Sequence, residues 1–354
     1  MNRVTLGDVC KKASSNIAQK DLNGNEGEYP IYGASGYIKT VDFYHQEEPY
    51  IAIVKDGAGI GRTMLLPAKS SVIGTMQYIL LKEDKSVDLD YLYYAIVHMN
   101  LGKYFSGATI PHIYFKDYQK EPLNLPDMHE QQQIASIFKK IDALISGRKE
   151  QIEQLDEIIK SRFIELFGDP ATPGEKFKTS KLGEVADVKS SHRVFTTEFV
   201  DEGVPFYRGT EIGALASGQQ PEDPYRISIE HYLKIASDDS KPIRGDLLLP
   251  SICNKGQVWM VDTDEPFYYK DGRVLCISPD RSVFDSRYLQ FYMKIRTEAE
   301  YPKLGSGSTF AEFKIFQLKE LEVDIPPINA QKEFNLFADQ VDKSKHFSEL
   351  EVAA

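Results

Sequence analysis

Apolar residues along this chain fall into two patterns. Short alternating or continuous apolar runs, bounded by Gly, Pro and Asp, read as strands. They are YPIYG, PYIAIVKDG, GRTMLLP and MQYILLKED in the first half, then VPFYRG, DLLLPSI, GQVWMVD and GRVLCISPD in the second. Each set is followed by a short amphipathic segment, Leu89 to Met99 and Ser286 to Ile295, that predicts a helix. Pro126-Asp127 then opens a long helix, with Asp127 as N-cap and Glu130 at capping-box spacing. Its apolar positions are Ile134, Phe138, Ile141, Ile145, Ile152, Leu155, Ile159 and Leu166, steps of four and three that make a heptad seam. Arg148 and Arg162 interrupt that seam, and Gly147 weakens the helix by about 1 kcal/mol relative to Ala. At about 1.5 Å per residue the helix spans roughly 60 Å. Gly168-Asp169-Pro170 ends it.

A second long helix follows Pro326-Pro327, with Phe334, Ala338 and Val341 on its seam. The seam then stops at Lys345, so this helix has no counterpart of residues 155–167. One helix cannot bury its own seam, and the natural partner of each is the other, running antiparallel.

The two halves are copies of one another. Residues 106–142 and 306–342 align without a gap at an offset of 200, and Ser106/Ser306, Gly107/Gly307, Thr109/Thr309, Pro126/Pro326, Gln131/Gln331 and Asp142/Asp342 coincide. Upstream, Leu6-Gly7-Asp8-Val9 matches Leu182-Gly183-Glu184-Val185 at an offset of 176, so the second copy carries insertions. So long a period excludes a solenoid and implies a duplicated domain. The expected organisation is a β-rich body at 1–126, a helix at 127–168, a second body at 169–325 and a shortened helix at 326–354. The fold class is α+β, with the two helices forming an antiparallel coiled coil.

Length agrees, since 354 residues exceed what one hydrophobic core usually serves. No apolar run approaches a membrane span, and the start MNRVTLGDVCKK lacks the apolar core of a signal peptide. Three cysteines without a C-x-x-C pair exclude a disulfide scaffold and a cysteine zinc site, and fit a cytoplasmic location.

Body, long helix, body, long helix resembles the specificity subunit of type I restriction–modification systems. The residues that carry the likeness are Val4-x-Leu6-Gly7-Asp8-Val9 and Ser180-x-Leu182-Gly183-Glu184-Val185, with the Ser-Gly-x-Thr runs at 106–109 and 306–309. Leu125-Pro126-x-x-x-x-Gln131-Gln132-Gln133-Ile134-Ala135 and Phe163-x-x-x-Phe167-Gly168-Asp169-Pro170 are similar to the family's helix start and helix end. The second copy departs from that start, with Ala330 before Gln331. The resemblance implies two target-recognition domains that each read one half of a split site on double-stranded DNA. It implies helices that set the spacing and dock methyltransferase subunits, with restriction–translocase subunits joining in full systems. It implies no cofactor on this chain, S-adenosylmethionine being held by the methyltransferase.

The residues themselves offer no catalysis. The Asp/Asn-Pro-Pro-Tyr/Phe tetrad of amino-methyltransferases, a P-loop and H-E-x-x-H are all missing, and the histidines are scattered with no metal-ligand spacing. Gly57-Ala58-Gly59-Ile60-Gly61 is not a dinucleotide fingerprint, because its third glycine falls one residue early. Lys55 and Arg62 flank that loop, so backbone N–H groups could approach a phosphate while the cations neutralise it. The second copy places Asn254, Lys255 and Gln257 there; Arg or Lys reads guanine and Asn or Gln reads adenine. Candidate DNA contacts are therefore Tyr32, Ser35, Lys55, Arg62, Gln77, Thr109, His112 and Tyr114 in the first copy. Those in the second are Arg208, Thr210, Asn254, Lys255, Gln257, Ser308 and Thr309. Two other classes compete: an interaction scaffold with no nucleic-acid role, and a shortened, inactive variant of the recognition subunit.

Charge opposes simple DNA binding. Against 42 basic residues stand 53 acidic ones, a net of −11, and neither body is basic overall. Positive groups must therefore gather on one face, or partners must supply them. The chain without partners is expected to bind DNA weakly at about physiological salt. Tight binding of the isolated chain in a fluorescence-polarisation titration contradicts that expectation.

Overall fold

A computed structural model describes residues 2–83, 86–107, 111–304 and 311–353. They form two compact units, residues 1–147 and 148–354.

In the first unit, strand β1 (Asn2–Thr5) leads through helix α1 (Leu6–Val9) to β2 (Cys10–Ser14). Then come β3 (Tyr29–Gly33), β4 (Gly36–Val41), β5 (Tyr50–Val54), β6 (Thr63–Leu66), β7 (Ser71–Val72) and β8 (Met76–Leu81). Helices α2 (Leu89–His98) and α3 (Phe115–Tyr118) precede β9 (Pro122–Leu125), and α4 (Met128–Phe167) follows. One sheet has the order β2-β8-β5-β6, a second β4-β3-β7, and β1 pairs with β9. Every residue of β5 is buried, because the strand is covered on both faces. Ile51 and Ile53 meet Leu6, Val9, Leu92 and Ile96 on one side. Tyr50, Ala52 and Val54 meet Tyr78 and Val72 on the other.

The second unit repeats this frame: β10 (Thr179–Lys181), α5 (Leu182–Val185), β11 (Ala186–Lys189), β12 (Phe199–Val200) and β13 (Val204–Tyr207). Helix α6 (Gly209–Ala216), β14 (Tyr225–Ile227) and α7 (Ile229–Ile235) come next. Then follow β15 (Leu247–Pro250), β16 (Trp259–Met260), β17 (Tyr268–Tyr269) and β18 (Val274–Pro279). Helices α8 (Ser286–Glu300) and α9 (Ile315–Lys319), strand β19 (Glu322–Asp324) and helix α10 (Ile328–Ala353) complete it. The sheets run β11-β18-β15-β16 and β12-β14-β13-β17, with β10 paired to β19. The parallel pair β3–β7 recurs as β13–β17. A tight turn joins β3 to β4, whereas α6 stands between β13 and β14; that helix and α7 hold much of the inserted sequence.

One buried side chain ties each long helix to its own body. Gln131 Nε2 donates to the Pro126 and Ser86 carbonyls (2.9 and 3.2 Å), and Gln131 Oε1 accepts from the Asp88 N–H (2.8 Å). Gln331 does the same with Pro326 and Val283 (both 2.9 Å) and with the Asp285 N–H (2.8 Å). Asp88 and Asp285 are themselves the N-caps of α2 and α8. The coincident Pro-x-x-x-x-Gln pattern thus has a structural cause.

The helix seam is partly as the sequence predicts. Within the second unit, Ile159 is buried with Phe334 and Ala338, and Leu166 and Val341 pack against the same core. Phe163 meets Phe334 edge-on with ring centroids 5.1 Å apart, and Lys345 Nζ lies 2.7 Å from Asp156 Oδ2. Residue 163 faces 334 while 156 faces 345, so the two helices run antiparallel. Phe163 and Phe167, which stand off the expected seam, are the most buried side chains of that half of α4. Ile145, Ile152 and Leu155 are half-buried.

In the first unit the seam positions are more exposed. Phe138 and Ile141 remain 44% and 43% exposed, and Phe138 stacks on Tyr94 of α2 within the same unit. Ile134 is half-buried against the body. The units divide at Gly147, inside α4, because the helix packs on two different bodies. Lys139 pairs with Asp90 and Asp142 with Tyr94 on one side of the division, and Phe163 stacks on Tyr288 on the other.

Cys10, Cys253 and Cys276 are buried free thiols. Burial pushes Cys253 up to about 11 and Cys10 and Cys276 up to about 12.

Replacing Gln331 by Ala leaves two carbonyls and the Asp285 N–H without their buried partner. The expected loss is about 2–3 kcal/mol. Chemical denaturation of the full chain measures it, and an unchanged midpoint would refute the role assigned to this amide.

Candidate functional site

In the first unit the loop from Lys55 to Arg62 joins β5 to β6. It is held from beneath by the segment after Pro111: Gly57 N–H donates to the Pro111 carbonyl (3.0 Å) and Ile113 N–H to the Lys55 carbonyl (2.9 Å). Gly61 has φ +81°, and a Cβ there would lie 2.4 Å from the Gly102 nitrogen, so glycine is required for the close approach. Arg62 Nη1 donates to the Ala34 carbonyl (2.7 Å), which joins the loop to the β3–β4 turn.

Five of the expected residues therefore share this loop cluster. Lys55 Nζ is 3.1 Å from Asp56, whose other oxygen is 2.6 Å from His112 Nδ1. The His112 ring stacks on Tyr114, which is 50% exposed and has Lys116 Nζ 5.3 Å from its ring centre. Ser35 is exposed in the turn that Arg62 reaches. Tyr32 lies lower, edge-on to the exposed ring of Tyr37. Gln77 does not belong to the surface. It is 3% exposed, and its amide donates to Tyr118 Oη inside the core. A polar residue on a central strand next to apolar neighbours is read from sequence as outward-facing, but a tyrosine hydroxyl from α3 meets it in the interior. Thr109, Ser308 and Thr309 lie outside the described residues, as does the rest of the run at 306–309.

The second unit builds its counterpart from different chemistry. Phe313 N–H donates to the Ser251 carbonyl (2.7 Å), the equivalent of the Ile113–Lys55 bond. A concave surface of about 610 Å³ there brings together Arg208, Thr210, Ser251, Gln257, Lys270 and Arg273. Arg208 is fixed at the start of α6. Its Nε and Nη2 donate to Glu211 (3.1 and 2.7 Å), and its guanidinium lies 4.5 Å from the Tyr225 ring centre. Thr210 Oγ1 also donates to Glu211 (2.9 Å). Burial raises the Glu211 pKa, but the Arg208 guanidinium and the Arg208 N–H outweigh it, and the carboxyl titrates below its ordinary value. Arg273 Nη1 is 2.8 Å from Glu312, held in turn beside Lys314. Asn254 and Lys255 are exposed, while Gln257 Oε1 accepts from the Lys255 backbone N–H (3.1 Å) and shapes the turn.

Sequence reasoning missed Lys116, Lys270 and Arg273 as surface cations, and Asp56, Glu211 and Glu312 as the carboxylates that orient their neighbours. Glu211 had a signal, since it stands three residues after Arg208 at capping-box spacing. Arg273 had none, because β18 follows it with no pattern that marks its partner.

The family model for the type I restriction modification DNA specificity domain matches residues 1–154 and again 174–351. The chain belongs to that family. Each match falls on one copy of the duplicated frame. Among relatives of this specificity-domain chain is the type I restriction enzyme MjaVIII specificity subunit of Methanocaldococcus jannaschii. It is 26% identical over 371 residues, covering 93% of this chain and 83% of the relative. The fold is shared with the S subunit of a type I restriction–modification system from M. genitalium. There the TM-score is 0.57 at 15% identity, covering 99% of this chain and 92% of that one. A further chain, from work on complex assembly and conformational transition of the type I system, gives a TM-score of 0.56 at 15% identity and covers 99% and 93%. The family resemblance read from the ordered motifs is thereby shown. Among the described residues no helix is long and apolar enough to cross a membrane.

The Glu211 carboxylate organises Arg208 only while ionised. Its folded pKa lies below the ordinary value. Its contribution is thus present above the unfolded carboxyl pKa and lost as pH falls through the folded one. Glu211→Gln is expected to cost about 2 kcal/mol near neutral pH and to have less effect in acid. Unfolding midpoints measured between pH 3 and 7 test this, and a cost that does not shrink in acid would overturn it.

Proposed function

We propose that this chain is the non-catalytic DNA-recognition subunit of a type I restriction–modification complex, each unit reading one half of a two-part target. The observation that supports this most is one frame used twice with different side chains at the same place. The hydrogen bond from residue 113 to Lys55 recurs as that from Phe313 to Ser251, so the two surfaces are built alike. Yet one carries Lys55, Arg62, His112 and Tyr114, and the other Arg208, Gln257, Lys270 and Arg273. Equal geometry with unequal donors suits an asymmetric, two-part sequence, since base identity is read by the donors and acceptors a loop presents.

In this reading, methyltransferase subunits dock on the helices and hold S-adenosylmethionine, restriction–translocase subunits join where the system has them, and the complex works in the cytoplasm. Phosphate contacts by those partners offset the chain's net charge of −11. Helix α4 sets the distance between half-sites.

The test is a methylome. The chain is co-expressed with a methyltransferase subunit from the same locus in cells free of other DNA methylation, and N6-methyladenine is mapped by long-read sequencing. A two-part asymmetric motif is expected. Inserting seven helical residues beside Gly147 adds about 10 Å to α4. The gap between half-sites should then grow by about three base pairs, at roughly 3.4 Å each. Substituting Lys55 and Arg62 by Ala should reduce or relax recognition at one half-site and leave the other unchanged. An unaltered motif in both variants would favour a scaffold without a reading role.

A further inference from the structure

The second unit has another cleft, of about 410 Å³, between the C-terminal half of α4, helices α8 and α10, and the turn at Lys255–Gln257. It contains more positive than negative side chains, in a chain whose balance is the reverse. Two of its three carboxylates are committed, and the third, Glu298, is exposed. Asp156 is paired with Lys345 (2.7 Å), and Asp342, with Asp339 (3.1 Å), is paired with Arg287.

Three cations are left over. Among the described residues no carboxylate lies within 4 Å of the Lys160, Lys255 or Lys294 ammonium. Lys294 is half-buried, and its recorded neighbour is the Phe291 ring, 5.8 Å from Nζ to the ring centre. Burial lowers its pKa; the nearby carboxylates Asp342 and Asp156 are opposed by Lys345 and Arg287. The Arg287 Nε is a buried donor with no acceptor. A half-buried ammonium without a carboxylate partner carries an unmet desolvation cost, and an anionic ligand in the cleft would relieve it.

The backbone holds this arrangement in place. Gly256 has φ +61°, and a Cβ there would lie 2.5 Å from the Lys294 carbonyl oxygen. The turn that presents Lys255 is thus seated directly on α8, against the backbone of Lys294.

We propose that this cleft is a binding site for a phosphate group, held by Lys294 and Arg287 with Lys160 and Lys255 at the rim. Donors arrive from three separate elements: α4, the 255–257 turn and α8. A tetrahedral anion with three or four acceptor oxygens meets such a set better than a planar carboxylate does. The phosphate has two possible sources, a free small molecule or the backbone of bound DNA. The inference does not rest on base reading by the surfaces described above.

The experiment uses the full-length chain in phosphate-free and sulfate-free buffer. Isothermal titration with inorganic phosphate and with pyrophosphate covers the free-ligand source. Saturable binding is expected, about tenfold weaker in Lys294→Met, whose side chain keeps the packing but loses the charge. Lys160→Gln lies on the exposed rim and guards against a folding defect; it should weaken binding as well. For the DNA source, the salt dependence of duplex binding is measured in the complex with a methyltransferase subunit. Each substitution should lower the slope of log K against log salt by about one. Saturation in the titration, or a reduced slope, supports the site and names its source. No saturable anion binding together with unchanged slopes in both folded variants overturns it. Phosphate binding that persists in a chain unable to direct any methylation would count against the recognition reading and leave this site standing.

Discussion

The architecture depends on one buried amide used twice. Gln131 and Gln331 are 1% and 0% exposed, and each satisfies two carbonyls and one N–H that would otherwise be stranded where a long helix leaves its body. The N–H belongs to the residue that caps α2 or α8, so one side chain fixes the angle between the cap of one helix and the first turn of the next. An amide is suited to this because it offers both donors and an acceptor; a carboxylate could not donate to the carbonyls. In the second copy Asn335 adds a bond to the Asp285 carboxylate (2.6 Å), so the same joint is drawn tighter there. The long helices therefore leave their bodies in a defined direction, and any role in spacing begins at this joint.

The loops use the opposite strategy. Around the joint, backbone hydrogen bonds are repeated from copy to copy: Leu6 to Glu121 becomes Leu182 to Leu321, and Ile113 to Lys55 becomes Phe313 to Ser251. Among the described residues the connection after β3 is not repeated after β13. One copy closes β3–β4 with a tight turn, and the other inserts α6 and clamps Arg208 against Glu211 and Tyr225. A frame specified by main-chain bonds and buried apolar contacts tolerates such exchange, because the exposed ends contribute little to the core. This separation is what a duplicated reader of unequal half-sites requires.

Much of the frame was legible in the sequence. Strands and long helices follow from periodicity, and the ungapped match at an offset of 200 marks the shared helix joint, where Gln131 and Gln331 coincide as structure requires. The helix seam was less legible. A heptad rule places Phe138 and Ile141 against a helix, but Tyr94 offers Phe138 an aromatic face, and Phe163 and Phe167 are drawn into a cluster with Tyr288 and Phe334. Sequence spacing cannot show which neighbour an apolar residue finds when two bodies compete for one helix. The candidate site was legible as loops and not as atoms. Lys55, Arg62, His112 and Tyr114 do gather, whereas Gln77 turns inward to Tyr118, and Arg273 comes to the surface beside Glu312 from a strand edge with no motif.

The same pairing logic explains how an acidic chain can present cations. Arg208 is bound to Glu211, Arg273 to Glu312 and Lys55 to Asp56, at distances of 2.7, 2.8 and 3.1 Å. Each carboxylate lowers the long-range positive field of its partner, and for the partly exposed pairs the gain in stability is small. What is gained is orientation: the Arg208 guanidinium, held through Nε and Nη2 by Glu211, keeps its remaining donors in fixed directions, so less rotamer freedom is lost on contact. Such a surface trades attraction for discrimination. In the proposed recognition role it would contribute little to affinity by itself and much to the difference between a right and a wrong base. The net charge of −11 is therefore compatible with reading DNA, provided that the attraction comes from elsewhere in the complex. The cleft around Lys294 differs in that three of its cations, Lys160, Lys255 and Lys294, have no carboxylate within 4 Å among the described residues, and a bound anion would complete them.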